Sequence, residues 1–269
     1  MNGLLKFKTW LGTLAAWGAR LAWGACLLAG LLAGGVARAQ RVVGQWDVKA
    51  GGFVATNGVV RWSSPQGVVL EFLPDEWVES DGALKNVGGI EAGGLKPEVE
   101  SASNKTVRAG VLLVKPKDAP HRVRTALFTG HHVARLANFP EGGEDGEWDA
   151  FGPAEEVKIW QNREEAAALQ AGVWQFVSFI APDEMPLEKA MVFADPFVAW
   201  KRTFEGETKA VVLLTGEVSE AALRGMQSAL ALRFGLAGLV PSATPQERSA
   251  ALATGFSAHG VWGTLFLVR

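Results

Sequence analysis

The chain has 269 residues with 26 basic and 28 acidic side chains, which gives a formal net charge of −2. This balance disfavours nucleic acid as a partner, because phosphate binding needs a concentrated basic face. Cys26 is the single cysteine and lies near the N-terminus, so disulfide bonds and thiol catalysis are excluded in the rest of the chain. A chain of this length can bury a sizeable core in one domain.

Residues 1–39 are typical of a secretory signal peptide. Basic residues precede an apolar run over residues 21–36, and the small residues Ala37 and Ala39 come just before Gln40. We expect cleavage after Ala39, which predicts a secreted, periplasmic or cell-envelope protein. The alternative is an uncleaved segment that anchors the chain in a membrane.

From residue 44 onward, short apolar or alternating segments are separated by Gly, Pro, Asn and Asp, a pattern that predicts many short strands. Residues 58–62 and 67–72 predict a hairpin. Residues 106–115 predict a strand whose centre, 111–114, is buried on both faces. The remaining predicted strands are 125–128, 133–139, 157–160 and 173–180, the last ending in an Ala-Pro-Asp turn. The Gly-rich residues 82–96 and 140–149 predict loops.

Two short helices are predicted near the C-terminus. Ser219 is a good N-cap for the first helix, and Gly235 ends it. Thr244 and Glu247 can cap the second helix reciprocally, and Gly255 ends it. The first helix carries an apolar stripe at spacings of three and four residues, formed by Leu223, Met226, Leu230 and Phe234. A terminal strand is predicted at residues 261–268.

Several of these segments resemble one family. Phe204-x-Gly206, followed by an apolar strand, a turn and the helix up to Leu236, looks like the closing motif of LamG-like, concanavalin A-like domains of bacterial secreted proteins. Gly172-x-Trp174-x-x-Val177 is similar to the central strand of that family, and residues 111–116 are similar to an early core strand. The resemblance covers residues 107–236 and implies that Trp174 is a core residue.

The resemblance implies an all-β fold: a two-sheet antiparallel jelly-roll sandwich of the concanavalin A-like type with two short C-terminal helices. The expected organisation is a signal peptide at residues 1–39 and a β-sandwich domain at residues 40–236. Residues 237–269 are expected to be an extension, with a helix and a final strand, that packs on the same domain. The chain departs from the family motif at Ala210, Leu214 and Thr215, where the family often has an acid or an aromatic-acid pair.

The candidate ligand-binding residues are Trp148 and Trp160, because an exposed indole can stack on the apolar face of a sugar ring. The alternative for each tryptophan is a place in the core. Glu144, Asp145 and Asp149 are candidate calcium ligands, although their spacing does not match an EF-hand and a solvated loop is the alternative. No other cofactor is expected.

The sequence disfavours a histidine metal site and a catalytic carboxylate pair. The neighbouring pair His131 and His132 would point to opposite faces of a strand, which disfavours chelation of one metal ion by both. Glu147 and Asp149 are the nearest match to the paired carboxylates of jelly-roll glycosidases, but they fall in a predicted loop and lack a following acid at the needed spacing. The sequence contains no nucleophile elbow, phosphate loop or dinucleotide fingerprint.

Three functions therefore stand as hypotheses. The first is a secreted, non-catalytic binding or adhesion domain for a polysaccharide or a cell-surface partner. The second is a structural cell-envelope protein that is membrane-anchored or self-assembling. The third is a divergent glycoside hydrolase.

Overall fold

The computed structural model describes residues 39–117, 125–130, 134–139, 147–150, 157–165, 169–194, 203–259 and 261. Its strands are β1 (Arg41–Asp47), β2 (Phe53–Thr56), β3 (Val59–Ser63), β4 (Val69–Phe72), β5 (Trp77–Ser80), β6 (Ala83–Asn86), β7 (Lys96–Pro97), β8 (Thr106–Pro116), β9 (Thr125–Gly130), β10 (Ala134–Phe139), β11 (Glu147–Ala150), β12 (Lys158–Gln161), β13 (Glu164–Glu165), β14 (Gln175–Pro186), β15 (Met191–Val192) and β16 (Gly206–Thr215). Its α-helices are α1 (Val99–Ala102), α2 (Glu220–Arg233) and α3 (Pro245–Ala253).

Antiparallel pairing joins the strands of these described ranges into three sheets. The large sheet has the order β13-β12-β14-β8-β16-β6-β5, and β1 also pairs with β16. The two smaller sheets have the orders β11-β10-β9-β15 and β2-β3-β4-β7. The predicted antiparallel β-structure and the two C-terminal helices are confirmed, and the predicted hairpin at residues 58–72 corresponds to the pairing of β3 with β4.

The central strands of the large sheet are buried on both faces. On one face, Leu112 and Val211 pack in a cluster with Trp62 and with other residues of the two smaller sheets. On the other face, Val111 and Val212 pack in a cluster with apolar residues of α2 and α3. The molecule therefore has a helical layer, the large sheet and a layer of two smaller sheets. The prediction that residues 111–114 are buried on both faces is confirmed.

Three tryptophans lie fully inside the core between the sheets, and each indole N–H has a backbone acceptor. Trp46 Nε1 donates to Trp62 O at 2.9 Å, and Trp62 Nε1 donates to Gly51 O at 3.1 Å. Trp77 Nε1 donates to Gly93 O at 2.7 Å. Because a buried N–H without a partner is costly, these bonds let the rings be buried without that penalty.

The predicted caps of both C-terminal helices are present. The Ser219 side chain accepts a bond from Ala222 N, and Thr244 and Glu247 form a reciprocal capping box. Gly235 and Gly255 follow the two helices with positive φ angles of 72° and 79°, which glycine adopts without steric strain.

Residues 82–96 were predicted to be mostly loop, and the structure places the strand β6 in their first part. Ser80 pairs with Ala83, so β5 and β6 form a hairpin closed by the two residues Asp81 and Gly82. Asp81 and Gly82 have positive φ angles of 55° and 67°. Two-residue hairpin turns of type I′ require positive φ at both positions, because their twist matches that of the flanking strands. The predicted signal peptide up to residue 38 and the predicted terminal strand beyond Val261 lie outside the described residues.

The C-terminal segment packs on the helix-covered face of the large sheet. Val240, Ala251 and Phe256 belong to the same apolar cluster as Val111. In addition, Val42 N donates to Thr254 O at 2.8 Å, which ties the end of α3 to β1.

Replacing Gly225 of α2 by Ala should destabilise the protein. An added Cβ would lie 2.9 Å from the Ala251 side chain and would clash with the Glu247 carbonyl oxygen of α3. Helix propensity alone would favour Ala by about 1 kcal/mol, whereas overpacking costs about 1–3 kcal/mol. We expect a net loss in the free energy of unfolding, measured by chemical denaturation.

Gly238→Ala is the matched control, since an added Cβ at Gly238 has no atom within 4 Å. Its free energy of unfolding should stay close to that of the wild type. Stabilisation by Gly225→Ala would contradict the close helix packing.

Candidate functional site: a groove beside helix α2

A groove of about 710 Å³ lies between the large sheet and the first turn of α2. We call it the α2 groove. Its apolar lining includes Trp160 of β12, Ile180 of β14 and Val218, which precedes α2. Its charged lining consists of Arg108, Lys158, Glu165 and Glu220.

Strand register brings the lining of the α2 groove together. Lys158 and Trp160 are two residues apart on β12 and therefore share a face of the sheet. Lys158 is paired with Ile180 of β14, and Ile180 is paired with Ala109 of β8. Residues that are far apart in the sequence thus form one continuous floor next to the start of α2.

The strand β14 is irregular beside the α2 groove. The sequence predicted that this strand ends in a turn at Ala181-Pro182-Asp183, but β14 continues to Pro186 with a register shift between Ile180 and Met185. Pro182 has no N–H to donate to a ladder, which suits a bulge better than a regular strand position. The carbonyl oxygen of Ala181 instead accepts a bond from Arg108 Nε at 3.1 Å.

Glu184 anchors this bulge to the ends of two neighbouring strands. Its carboxylate accepts bonds from Thr106 Oγ1 and from Thr215 Oγ1, each at 2.9 Å. It also accepts a bond from Gly216 N at 3.0 Å. These three hydrogen bonds hold the backbone that forms one wall of the α2 groove. The side chain of Glu184 therefore stabilises the bulge.

The α2 groove carries charges of both signs around its apolar floor. Arg108 Nη1 lies 2.6 Å from Glu217 Oε1, and Glu220 pairs with Arg224 one turn along α2. Lys158 and Glu165 are exposed. The lining therefore offers both donors and acceptors next to apolar side chains, the combination found in ligand-binding sites.

A second charged cluster lies at the other end of α2. The buried carboxylate of Asp47 lies 2.9 Å from Arg233 Nε and 3.0 Å from His259 Nε2. Gln45 Nε2 is 2.9 Å from the same His259 nitrogen. Burial is the main cause that lowers the pKa of His259 below 6.5, and Arg233 lowers it further against the opposing effect of Asp47.

Among the predicted site residues, Trp160 is the one whose side chain the structure describes. Trp160 is 7% exposed and belongs to the cluster under the helices, so its burial favours the core alternative, although it also lines the α2 groove. Sugar stacking on Trp160 stays a prediction. Glu144 and Asp145 lie outside the described residues.

The predicted loop around Trp148 and Asp149 was wrong for its last residues. Residues 147–150 form β11, because they pair with β10 in an antiparallel ladder that includes Asn138 with Trp148 and Ala137 with Asp149. Only the backbone of this strand is described. Glu147 and Asp149 therefore lie on a strand, as a carboxylate pair of a glycosidase would. The missing third acid still disfavours a glycosidase site.

Trp174, which the family resemblance placed in the core, packs against the margin of the apolar cluster under the helices. Its side chain is partly exposed, and Lys209 Nζ lies 4.6 Å from the centre of its ring. Trp174 precedes β14 and lies beyond the regular ladder, where the sheet no longer covers the whole indole.

Neither a metal centre nor a membrane span emerges from the described part of the chain. Within it, no three His, Cys, Asp or Glu side chains are grouped so that they could hold a metal ion. In the same ranges, no helix combines the length and apolar character that crossing a membrane requires. His131, His132 and His121 lie outside these ranges.

Comparisons with known proteins identify no family for this chain. No protein-family model matches it, and no curated protein matches it. A crystal structure of a protein of unknown function from Shewanella oneidensis MR-1 is similar with 11% sequence identity and a TM-score of 0.33, over 68% of this chain and 89% of that protein. A similarity this weak carries no argument about fold or function, so the resemblance to LamG-like domains stays a prediction.

Lowering the pH should destabilise the protein through His259. Because its folded-state pKa is below 6.5, the unfolded state takes up the proton first, and the stabilising contribution of neutral His259 is lost as the pH falls through the lowered value. We expect the difference in unfolding free energy between the wild type and His259→Asn to shrink from about pH 7.5 to about pH 5.5. Chemical denaturation at both pH values measures it, and an identical pH slope for the two proteins would contradict this assignment.

Proposed function

We propose that the chain is a secreted, non-catalytic binding or adhesion module whose ligand is a polysaccharide at the cell surface. The α2 groove is the observation that carries this proposal. Its volume of about 710 Å³ is in the range of small-molecule sites, about 300–1,000 Å³. The finer fold assignment, a concanavalin A-like jelly roll, belongs to the same proposal and is supported by the antiparallel sheets and by the positions of the two C-terminal helices.

The lining of the α2 groove matches the chemistry of a carbohydrate. A sugar ring has apolar C–H faces and a rim of hydroxyls that both donate and accept hydrogen bonds. Ile180 and Val218 supply apolar surface, while Arg108 and Lys158 supply donors and Glu165 supplies an acceptor. The rigid β-strands that present these side chains reduce the entropy that binding would cost.

The two alternatives make different predictions about location and chemistry. A membrane-anchored envelope protein would retain an uncleaved segment over residues 21–37, whereas a secreted module would begin at Gln40. A divergent hydrolase would turn over polysaccharide, and the position of Glu147 and Asp149 on a strand favours this third hypothesis more than the predicted loop did.

Cell fractionation followed by N-terminal sequencing tests the predicted export. We expect a released species that begins at Gln40, because the small residues Ala37 and Ala39 fit the cleavage site of a signal peptidase. Full-length protein retained in the membrane fraction would contradict secretion and would favour the anchored envelope protein.

Binding to a panel of immobilised neutral and acidic polysaccharides tests the α2 groove. We expect the full chain to be retained on one glycan class, and Lys158→Ala combined with Glu165→Ala to weaken its affinity by about tenfold, or about 1.4 kcal/mol. Both residues are exposed, so the variant should fold normally. An EDTA arm tests the calcium hypothesis for Glu144, Asp145 and Asp149.

Lys96→Ala combined with Glu100→Ala is the matched control, since it removes one exposed residue of each sign outside the α2 groove. It should bind like the wild type. Equal losses in the two double variants, or retention of the wild type on no glycan, would count against the proposed function. Glycan turnover that disappears in Glu147→Gln would favour the hydrolase.

A further inference from the structure

A lysine-lined pocket lies at the opposite end of α2 from the groove. It has a volume of about 260 Å³ and is lined by Lys85, Lys115, Lys117 and Glu207 together with Pro116 and Gly206. We call it the lysine pocket. The lining carries three positive charges and one negative charge, whereas the chain as a whole is slightly acidic.

Strand register fixes two of these lysines on one face of the large sheet. Glu207 of β16 is paired with Lys115 of β8 on one side and with Lys85 of β6 on the other. The three side chains therefore form a row across three strands, with the carboxylate between two ammonium groups. Glu207 offsets only part of this charge, and Lys115 Nζ lies 3.5 Å from its Oε1.

The remaining ion pairs of the lysine pocket are weak or exposed. Lys85 pairs at 2.7 Å with Asp81, but the Asp81 side chain is 80% exposed. Lys117, with a side chain that is 56% exposed, lies 3.5 Å from Glu205. Because an ion pair with an exposed carboxylate contributes little, the Lys85 ammonium group can turn to an incoming anion, whereas Lys117 also neutralises the buried carboxylate of Glu205.

Two further lysines extend the positive field towards the C-terminal end of α2. Lys209 Nζ lies over the Trp174 ring at 4.6 Å, and Lys49 Nζ lies 5.2 Å from the centre of the Phe234 ring. The aromatic rings and the carbonyl oxygens of Gly82 and Arg233 hold these ammonium groups in place. Such a field attracts an anion before contact is made.

The lysines are close enough to repel one another. Burial is the largest cause that lowers the pKa of Lys209. The positive charges of Lys49, Lys115 and Lys85 lower it further, while Glu207 opposes the change. A bound oxyanion would relieve this repulsion, which is a favourable term that an uncharged ligand cannot supply.

We propose that the lysine pocket binds the carboxylate or sulfate groups of an acidic polysaccharide. This inference rests on the proposed function, since it assigns the charge class of the same glycan ligand. The pocket is concave and, at about 260 Å³, has room for one such group. A recessed site of this kind fits a group that projects from a polymer better than it fits the flat surface of a membrane.

Binding of the full chain to carboxymethyl-dextran, dextran sulfate and unmodified dextran tests the proposal, because the three probes share one backbone. We expect at least about tenfold tighter binding to one of the charged polymers than to dextran, with an affinity that falls as salt rises. Lys85→Gln combined with Lys115→Gln should remove most of this preference. Comparison of the two charged polymers distinguishes carboxylate from sulfate.

Two further variants complete the test. Lys117→Gln changes an exposed side chain and should reduce the preference even if the double variant folds poorly. Lys96→Gln combined with Lys189→Gln removes the same charge from exposed positions outside the lysine pocket and should bind like the wild type. Equal losses in both double variants would mean non-specific attraction and would overturn the assignment.

Other outcomes separate this inference from the proposed function. Retention on a neutral glycan that depends on Lys158 and Glu165, without any preference for acidic polymers, would overturn the lysine pocket and leave the proposed function standing. Binding to phosphatidylglycerol vesicles but to none of the dextran polymers would overturn the polysaccharide assignment in favour of a membrane surface. Binding to neither charged dextran would also overturn the inference.

Discussion

The large sheet depends on burial of both of its faces. Along β8 and β16, apolar residues occupy consecutive positions, so neither face can be left to water without a large loss of hydrophobic stabilisation. The two smaller sheets cover one face with the rings of Trp62 and Phe128, and α2 and α3 cover the other. The close approach of these helices at Gly225 shows how little space the helical layer leaves.

The need to bury both faces of the large sheet also determines where the α2 groove and the lysine pocket form. Helix α2 is too short to cover the whole face, so polar residues replace apolar ones beyond each of its ends. At its first turn, the bulge anchored by Glu184 and the side chain of Arg108 shape the α2 groove. Beyond its last turn, the row that contains Lys115 and Lys85 borders the lysine pocket. One structural element thus separates two surfaces of different chemistry.

Local patterns predicted the elements better than the sites. The apolar run at residues 111–114 and the caps at Ser219 and Thr244 act over a few residues, and the structure confirms them. The bulge after Ile180 could not be predicted, because Pro182 equally suits a turn and the stabilising partners of Glu184 come from distant strands. Both the α2 groove and the lysine pocket combine residues from distant strands that only tertiary folding brings together, and the α2 groove also includes Glu220 of α2. The Asp-Gly turn between β5 and β6, in contrast, had a recognisable signal.

One edge of β16 is shared between the strands β6 and β1. Its first residues pair with β6, and the rest pair with β1, so that Arg41 lies opposite Thr215. The strand that directly follows the expected cleavage site therefore has no partner until almost the whole polypeptide has been synthesised. Such a high contact order slows folding. A nascent chain with this topology stays unfolded for longer, and the proposed export would require that state for passage through a translocation channel.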